Sequence, residues 1–268
     1  MVSSVGSSGV LKSLNRTQEQ LQRSFEKLSS GKRINRASDD AAGLAIANAL
    51  ATDAVVLRQG TRNAADAQSA LEISDSALSQ ISDINSRLQE LAVQASNGTL
   101  SDEQRSALNT EYQELSQEIQ RIGETTEFNG IKLLNGSEVS VQVGTDSSSG
   151  SQISTEGADI SSLAQSVTAQ ALNSVEGARA AIDALREFAS SVNSSRGDIG
   201  ATSARLQSAS NSNEEQRINS IEAESRIRDA DVAQSVAENV TLKIQQRQAA
   251  ALGAQINIQS SRVLDLLK

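Results

Sequence analysis

Cysteine, histidine, proline and tryptophan are all missing from this chain of 268 residues. Without histidine or cysteine there is no Ser-His-Asp triad, no thiolate nucleophile and no ordinary zinc site. Disulfides are excluded too, so cysteine usage says nothing about the redox compartment. Proline in a helix interior costs about 3 kcal/mol and kinks the axis; its absence permits long uninterrupted helices. Aromatic rings are nearly absent, with Phe25, Phe128, Phe188 and Tyr112 as the whole set. A thick globular core would use more large rings. Apolar content drawn from Ala, Leu, Ile and Val suits thin helical bundles with close axes. Acidic residues outnumber basic ones, and the net charge of -9 argues against a nucleic-acid partner, whose phosphates need a basic surface. No transmembrane run and no apolar secretory leader stands out, so no membrane insertion is expected. Residues 1–15 carry Lys12 as their one charged side chain. The expected destination is the cytosol, or export by a route that reads no such leader.

What is present is helical periodicity. From about Val10 to Ser30, Leu11, Leu14, Gln18, Leu21, Phe25 and Leu28 recur at alternating spacings of three and four, the seam of a coiled coil. The stretch from Ser30 to Arg33 interrupts it. Ser38 is expected to cap the next helix, with Asp39 and Asp40 complementing its positive end. That helix should run from about Asp40 to Ser96, carrying two adjacent apolar stripes that need partners on more than one side. Asn97-Gly98 stops it. Ser101 and Gln104 fit a capping box for a third helix, folded back antiparallel, with Leu108, Tyr112, Leu115, Ile119 and Ile122 on one face. Beyond Glu127 the pattern changes. Asn129-Gly130 and Asn135-Gly136 signal turns, and Val139, Val141 and Val143 alternate with polar residues as in a strand. Helical pattern then resumes from about Ser162 to the end, with a drift of period over Ser208–Asn213 that predicts a break. The expected fold is mainly α: a long antiparallel helical bundle or coiled coil, with a small β-hairpin region around 128–160.

The last seam consists of Ala249, Leu252, Ile256, Gln259, Val263 and Leu266. Laid antiparallel on the first, it pairs Leu11 with Leu266, Leu14 with Val263, Leu21 with Ile256, Phe25 with Leu252 and Leu28 with Ala249. The single polar residue of each seam, Gln18 and Gln259, then meets the other. A lone polar layer of this kind often fixes register at some cost in stability. The two ends of the chain are therefore expected to pair.

Four segments, in order, carry a family likeness. The run from Leu28 to Ala47 (LSSGKRINRASDDAAGLAIA) resembles the N-terminal signature of bacterial flagellin. Glu90–Gln94 (ELAVQ), Glu127–Leu134 (EFNGIKLL) and Ala223–Asp231 (AESRIRDAD) resemble further flagellin segments. The resemblance spans nearly the whole chain. It implies a subunit of the flagellar filament, secreted unfolded through the flagellar type III apparatus to the extracellular flagellum. Implied partners are further copies of the chain in a helical homopolymer, an export chaperone, the filament cap and hook-associated proteins. It also implies a terminal coiled-coil domain over 1–40 plus 232–268, forming an inner tube, and a core helical domain over 41–231. Many flagellins insert large outer domains between the halves; here only about Ser137 to Ser161 occupies that place. Some flagellins are detected by an animal Toll-like receptor through core helices. By motif position Arg87, Leu91 and Glu111 match residues of that surface, while Ser86 stands where glutamine is common.

Blander readings compete at single residues. Asp39 and Asp40 are a helix start before they are an acid–base pair, and with Arg33 and Arg36 they are candidates for contacts between subunits. Arg33 and Arg36 serve subunit contacts or the turn itself before they form an anion site. No catalytic, cofactor or metal site is expected. Three roles were distinguishable in principle: filament subunit, hook–filament junction protein, and an enzyme carrying a metallopeptidase insert. The last needs a His-Glu-x-x-His helix, and the chain has no histidine. The terminal segments are expected to order only on polymerisation, since helices of this kind are marginal without packing.

Overall fold

With no proline to interrupt them, the helices reach unusual lengths. The computed structural model describes residues 2–155 and 157–266, with side chains over 8–155 and 157–259 and at 262. In chain order come α1 (Val2–Ser30), α2 (Ala41–Ala95), α3 (Asp102–Thr125), β1 (Glu127–Phe128), β2 (Ile131–Lys132), β3 (Val139–Gln142), β4 (Gln152–Thr155), α4 (Ile160–Thr168), α5 (Val175–Arg228) and α6 (Val232–Leu266). The chain divides into two compact units: Met1–Ala54 with Ile218–Lys268, and Val55–Arg217.

In the Val55–Arg217 unit, α3 begins where the capping box predicts. The Ser101 hydroxyl accepts from the Gln104 N–H at 3.3 Å, and the Gln104 amide oxygen accepts from the Ser101 N–H at 2.9 Å. Two of the helix's orphan donors are thereby satisfied. The core is a seam of buried aliphatic residues, including Leu78, Ile81 and Leu88 of α2, Ile119 of α3 and Leu185 of α5. The only large rings in it are Tyr112 and Phe188. α4 and the chain leaving it lie on α3: Gln113 donates to the Gln170 carbonyl at 2.7 Å, and the Asn109 side chain accepts from the Leu172 N–H at 2.7 Å.

Two antiparallel hairpins fill the stretch between α3 and α4, β1 with β2 and β3 with β4. Asn129 and Gly130 both sit at positive φ, 51° and 79°, as a two-residue hairpin turn requires. The β3 edge is anchored by polar side chains from two helices. Asn63 of α2 donates to the Gln142 carbonyl at 2.9 Å, and Asn213 of α5 donates to the Val143 carbonyl at 2.8 Å. Gly60 lets the strand approach α2 so closely that a Cβ there would overlap the Val143 carbonyl.

The break expected over Ser208–Asn213 does not occur. α5 runs through it. The apolar period drifts there because Asn213 occupies an inward position as a buried polar anchor for β3. The interruptions fall instead between α4 and α5, where the Ser174 hydroxyl accepts from the Gly177 N–H at 3.0 Å, and between α5 and α6, where Asp231 accepts from the Gln234 N–H at 3.0 Å.

Candidate functional site

The residues of the 28–47 motif build a junction at the foot of α1. Gly31 ends the helix at φ 67°, a conformation that glycine adopts without a steric penalty. The next residues then pair with the turn between α5 and α6. The Ala230 N–H donates to the Gly31 carbonyl at 2.9 Å, and the Arg33 N–H donates to the Arg228 carbonyl at 2.6 Å. Two guanidinium groups reinforce this bridge reciprocally. Arg33 donates to the Ile227 carbonyl at 2.6 Å, and Arg228 donates to the Ile34 carbonyl at 3.3 Å. Ile34 between them is 1% exposed.

The turn into α2 is held by carboxylates. Asp39 accepts from the N–H groups of Asn35 and Arg36 at 3.2 and 3.0 Å. Those backbone hydrogen bonds, from Arg36 first and then Asn35, hold its carboxyl below the usual aspartate range. The cap of α2 is Asp40, whose carboxylate accepts from the Gly43 N–H at 2.8 Å. Ser38, the expected cap, lies in the preceding turn, because α2 starts only at Ala41. Arg36 reaches back to Glu26 of α1 at 2.9 Å. Arg33, Arg36, Asp39 and Asp40 thus all have work within the chain.

Above the junction α1 and α6 lie antiparallel, as the two seams predict. The register is different. Gln18 accepts from Gln246 at 2.7 Å rather than facing Gln259, and Ser24 accepts from Asn239 at 3.4 Å. Val10 lies against Gly253, 3.6 Å from the position a Cβ would take. Carried along the pair, this register sets Leu14 against Ala249, Thr17 against Gln246, Leu21 against Leu242 and Leu28 against Ser235. It is two heptads away from the expected alignment. The inward residues of α1 are Val10, Leu14, Thr17, Leu21, Ser24 and Leu28, so the helix is turned slightly from the predicted face. Leu11 and Phe25 lie outside the seam at 58% and 44% exposed, and Leu252 of α6 is 55% exposed. Lys243 stands 4.9 Å from the centre of the Phe25 ring. Of the predicted seam residues, Leu14, Leu21, Leu28, Ala249 and Ile256 keep inward places; the side chains of Val263 and Leu266 lie outside the described residues.

The reason for the shift is that a heptad pattern looks alike at every slip of seven residues. The bridge removes that freedom. The α6 positions that matter most, Asn239 and Leu242, are 4% and 7% exposed. They were missed because the inward series starts at Ser235 with small and polar residues that an apolar search passes over.

The third candidate group divides. Arg87 and Glu111 form an exposed ion pair at 2.8 Å across α2 and α3, with Glu90 at 2.9 Å from the same guanidinium. Leu91 is 1% exposed, packed on the inner face with Leu88, Ala92 and Ala95, so it contributes nothing to that surface.

Residues 4–139 match the family model of the bacterial flagellin N-terminal helical region, and residues 182–267 match that of the C-terminal helical region. A flagellin of Halalkalibacterium halodurans is 39% identical over 249 residues, covering 92% of each chain. The flagellar filament 31.3 kDa core protein of Treponema maltophilum is 33% identical over 261 residues, covering 91% of each. Among solved structures, a Bacillus cereus flagellin is similar with a TM-score of 0.52 and 30% identity, covering 57% of this chain and 88% of that one.

Proposed function

The chain belongs to the bacterial flagellin family and is a structural subunit that polymerises into the flagellar filament, and from that premise we propose that its paired terminal helices are the part that orders on assembly and lines the polymer. The observation that supports this reading is the apolar surface the pair leaves open. On α6, Val232, Val236, Val240 and Ile244 recur every fourth residue and are 43–59% exposed. Leu11, Phe25 and Leu252 are exposed as well. A contiguous apolar stripe of this kind marks an interaction surface, and a self-assembling chain supplies the partner in further copies of itself. α2 points the same way. It holds an 18-residue window of mean hydropathy 1.4, apolar enough to cross a membrane by composition, of which only 22% is buried within the chain. In a filament subunit such surface is covered by neighbours. The likeness at 39% identity over 92% of each chain is to a flagellin, which favours the subunit over a hook–filament junction protein, the alternative that shares the paired ends.

The same family membership supports export through the flagellar type III apparatus to the cell exterior, and partners in an export chaperone, the filament cap and hook-associated proteins. For an animal Toll-like receptor, Arg87 and Glu111 are the exposed candidates.

The test is seeded polymerisation of a Val236→Glu, Val240→Glu variant, followed by electron microscopy. The expected outcome is a soluble subunit with an unchanged core that does not extend seeds. Filaments of ordinary length from the variant would sink the proposal.

A further inference from the structure

In the observed register the apolar side chains of the terminal pair are not matched layer by layer. The observed register sets Leu28 against Ser235, Leu14 against Ala249 and Val10 against Gly253, so large apolar residues meet small or polar ones in three layers. A slip of one heptad would set Leu14 against Ile256, Leu21 against Ala249 and Leu28 against Leu242, which is at least as apolar. A slip of two heptads keeps the seams in phase as well. Hydrophobic burial, being non-directional, does not choose among them.

Two features do. Within the seam, Asn239 is 4% exposed and donates to Ser24, itself 4% exposed. A slip of one heptad would set Asn239 opposite Gly31, past the end of α1, so the buried Asn239–Ser24 hydrogen bond would be lost. At the foot of the pair, only Gly31 separates α1 from the backbone bridge, and only Asp229, Ala230 and Asp231 separate α5 from α6. A heptad of helix is about 10 Å long, while those connecting residues span at most roughly 10 Å when fully extended. They are already engaged in the bridge, so no slack remains for a slip.

We infer that Asn239 with Ser24, together with the Arg33–Arg228 bridge, is the register-determining device of the terminal pair. The inference rests on the reading of that pair as the assembling element, and it adds which residues set its alignment. Because slipped registers would present Val232–Ile244 to neighbouring copies at a different height, the device also sets the height of the surface offered for assembly.

The chain lacks cysteine, so introduced thiols report without background. Three full-length double variants are needed: Gln18→Cys with Gln246→Cys for the observed register, Leu14→Cys with Ile256→Cys for one heptad, and Gln18→Cys with Gln259→Cys for two. Disulfide formation is read in filaments. In the otherwise native chain the first pair joins, and exceeds each of the others by about fivefold or more, the ratio one buried hydrogen-bonded layer supplies. Adding Asn239→Leu, Arg33→Ala and Arg228→Ala lowers the first yield and raises the second. Should that combination form no filaments, Asn239→Leu alone decides by the same shift. An unchanged preference for the first pair would overturn the inference, since the apolar seam would then suffice. A slipped pair that joins in the native chain as readily as the first overturns the register and, with it, the inference. Joining at none, in filaments that form normally, overturns the pairing reading and the inference with it.

Discussion

Tyr112 is the chain's one tyrosine, and it sits fully buried in a core that otherwise holds a single ring. Its hydroxyl donates to the Val167 carbonyl at 3.1 Å, tying α3 to α4. Burial pushes the phenol up to about 12, against a smaller lowering by Ser116. The folded value lies above the unfolded value of about 10. The neutral phenol therefore stabilises the fold fully below about pH 10, and that contribution is lost as pH rises towards 12. A spectrophotometric titration of the phenolate should show its midpoint near 12 in the folded protein and near 10 in denaturant. Equal midpoints would mean the ring is exposed. Tyr112→Phe should cost about 1 kcal/mol in urea unfolding, the ordinary value of one internal hydrogen bond. Gly60 makes a harsher case. Any Cβ there overlaps the Val143 carbonyl, so Gly60→Val should destabilise the Val55–Arg217 unit by about 1–3 kcal/mol, the usual cost of overpacking.

At the scale of elements, stability is unevenly spread. The Val55–Arg217 unit holds the aliphatic core, while α1 and α6 together bury only Ser24, Asn239 and Leu242 among their described residues. Sparse burial puts an element at the low end of local stability. Brief proteolysis of the monomer should therefore cut within 1–40 and 232–268 and leave the middle intact, as mass spectrometry of the fragments would show; uniform resistance would refute this. The same contrast explains what could be read in advance. Features set by a few neighbouring residues were legible: the Ser101–Gln104 box, the Asn129-Gly130 turn, and the alternation of β3. The antiparallel partnership of α1 and α6 was legible too, because each helix carries a seam. Its register was not, because heptads repeat, and the decision lies with Arg33 and Arg228, which are far apart in sequence. The place of Asn213 was misread for a related reason. A polar residue that anchors a distant strand looks locally like the end of a helix. Leu91 was misplaced by carrying a family surface onto a side chain that this core buries.

The whole molecule joins two tasks, a core that folds within one chain and an end pair that serves the polymer. The short stretch between β2 and α4 adds little beyond a hairpin, so assembly rests on the helices. That separation predicts how a truncation behaves. The test case is Val263–Lys268, at the end of the segment assigned to assembly. Within the proposed reading, those residues serve contacts between subunits. Deleting Val263–Lys268 should leave the urea midpoint of the core unchanged, because the buried core residues described all lie in the Val55–Arg217 unit. It should also leave the Gln18–Gln246 crosslink in place, because the bridge and the Asn239 layer are intact. Elongation from wild-type seeds should nevertheless stop, as followed by light scattering and electron microscopy. A truncated chain that elongates at the full rate would show that α6 completes its contacts before Val263. One that loses its core midpoint would show that the end stabilises the monomer, and the division of tasks between core and ends would have to be abandoned.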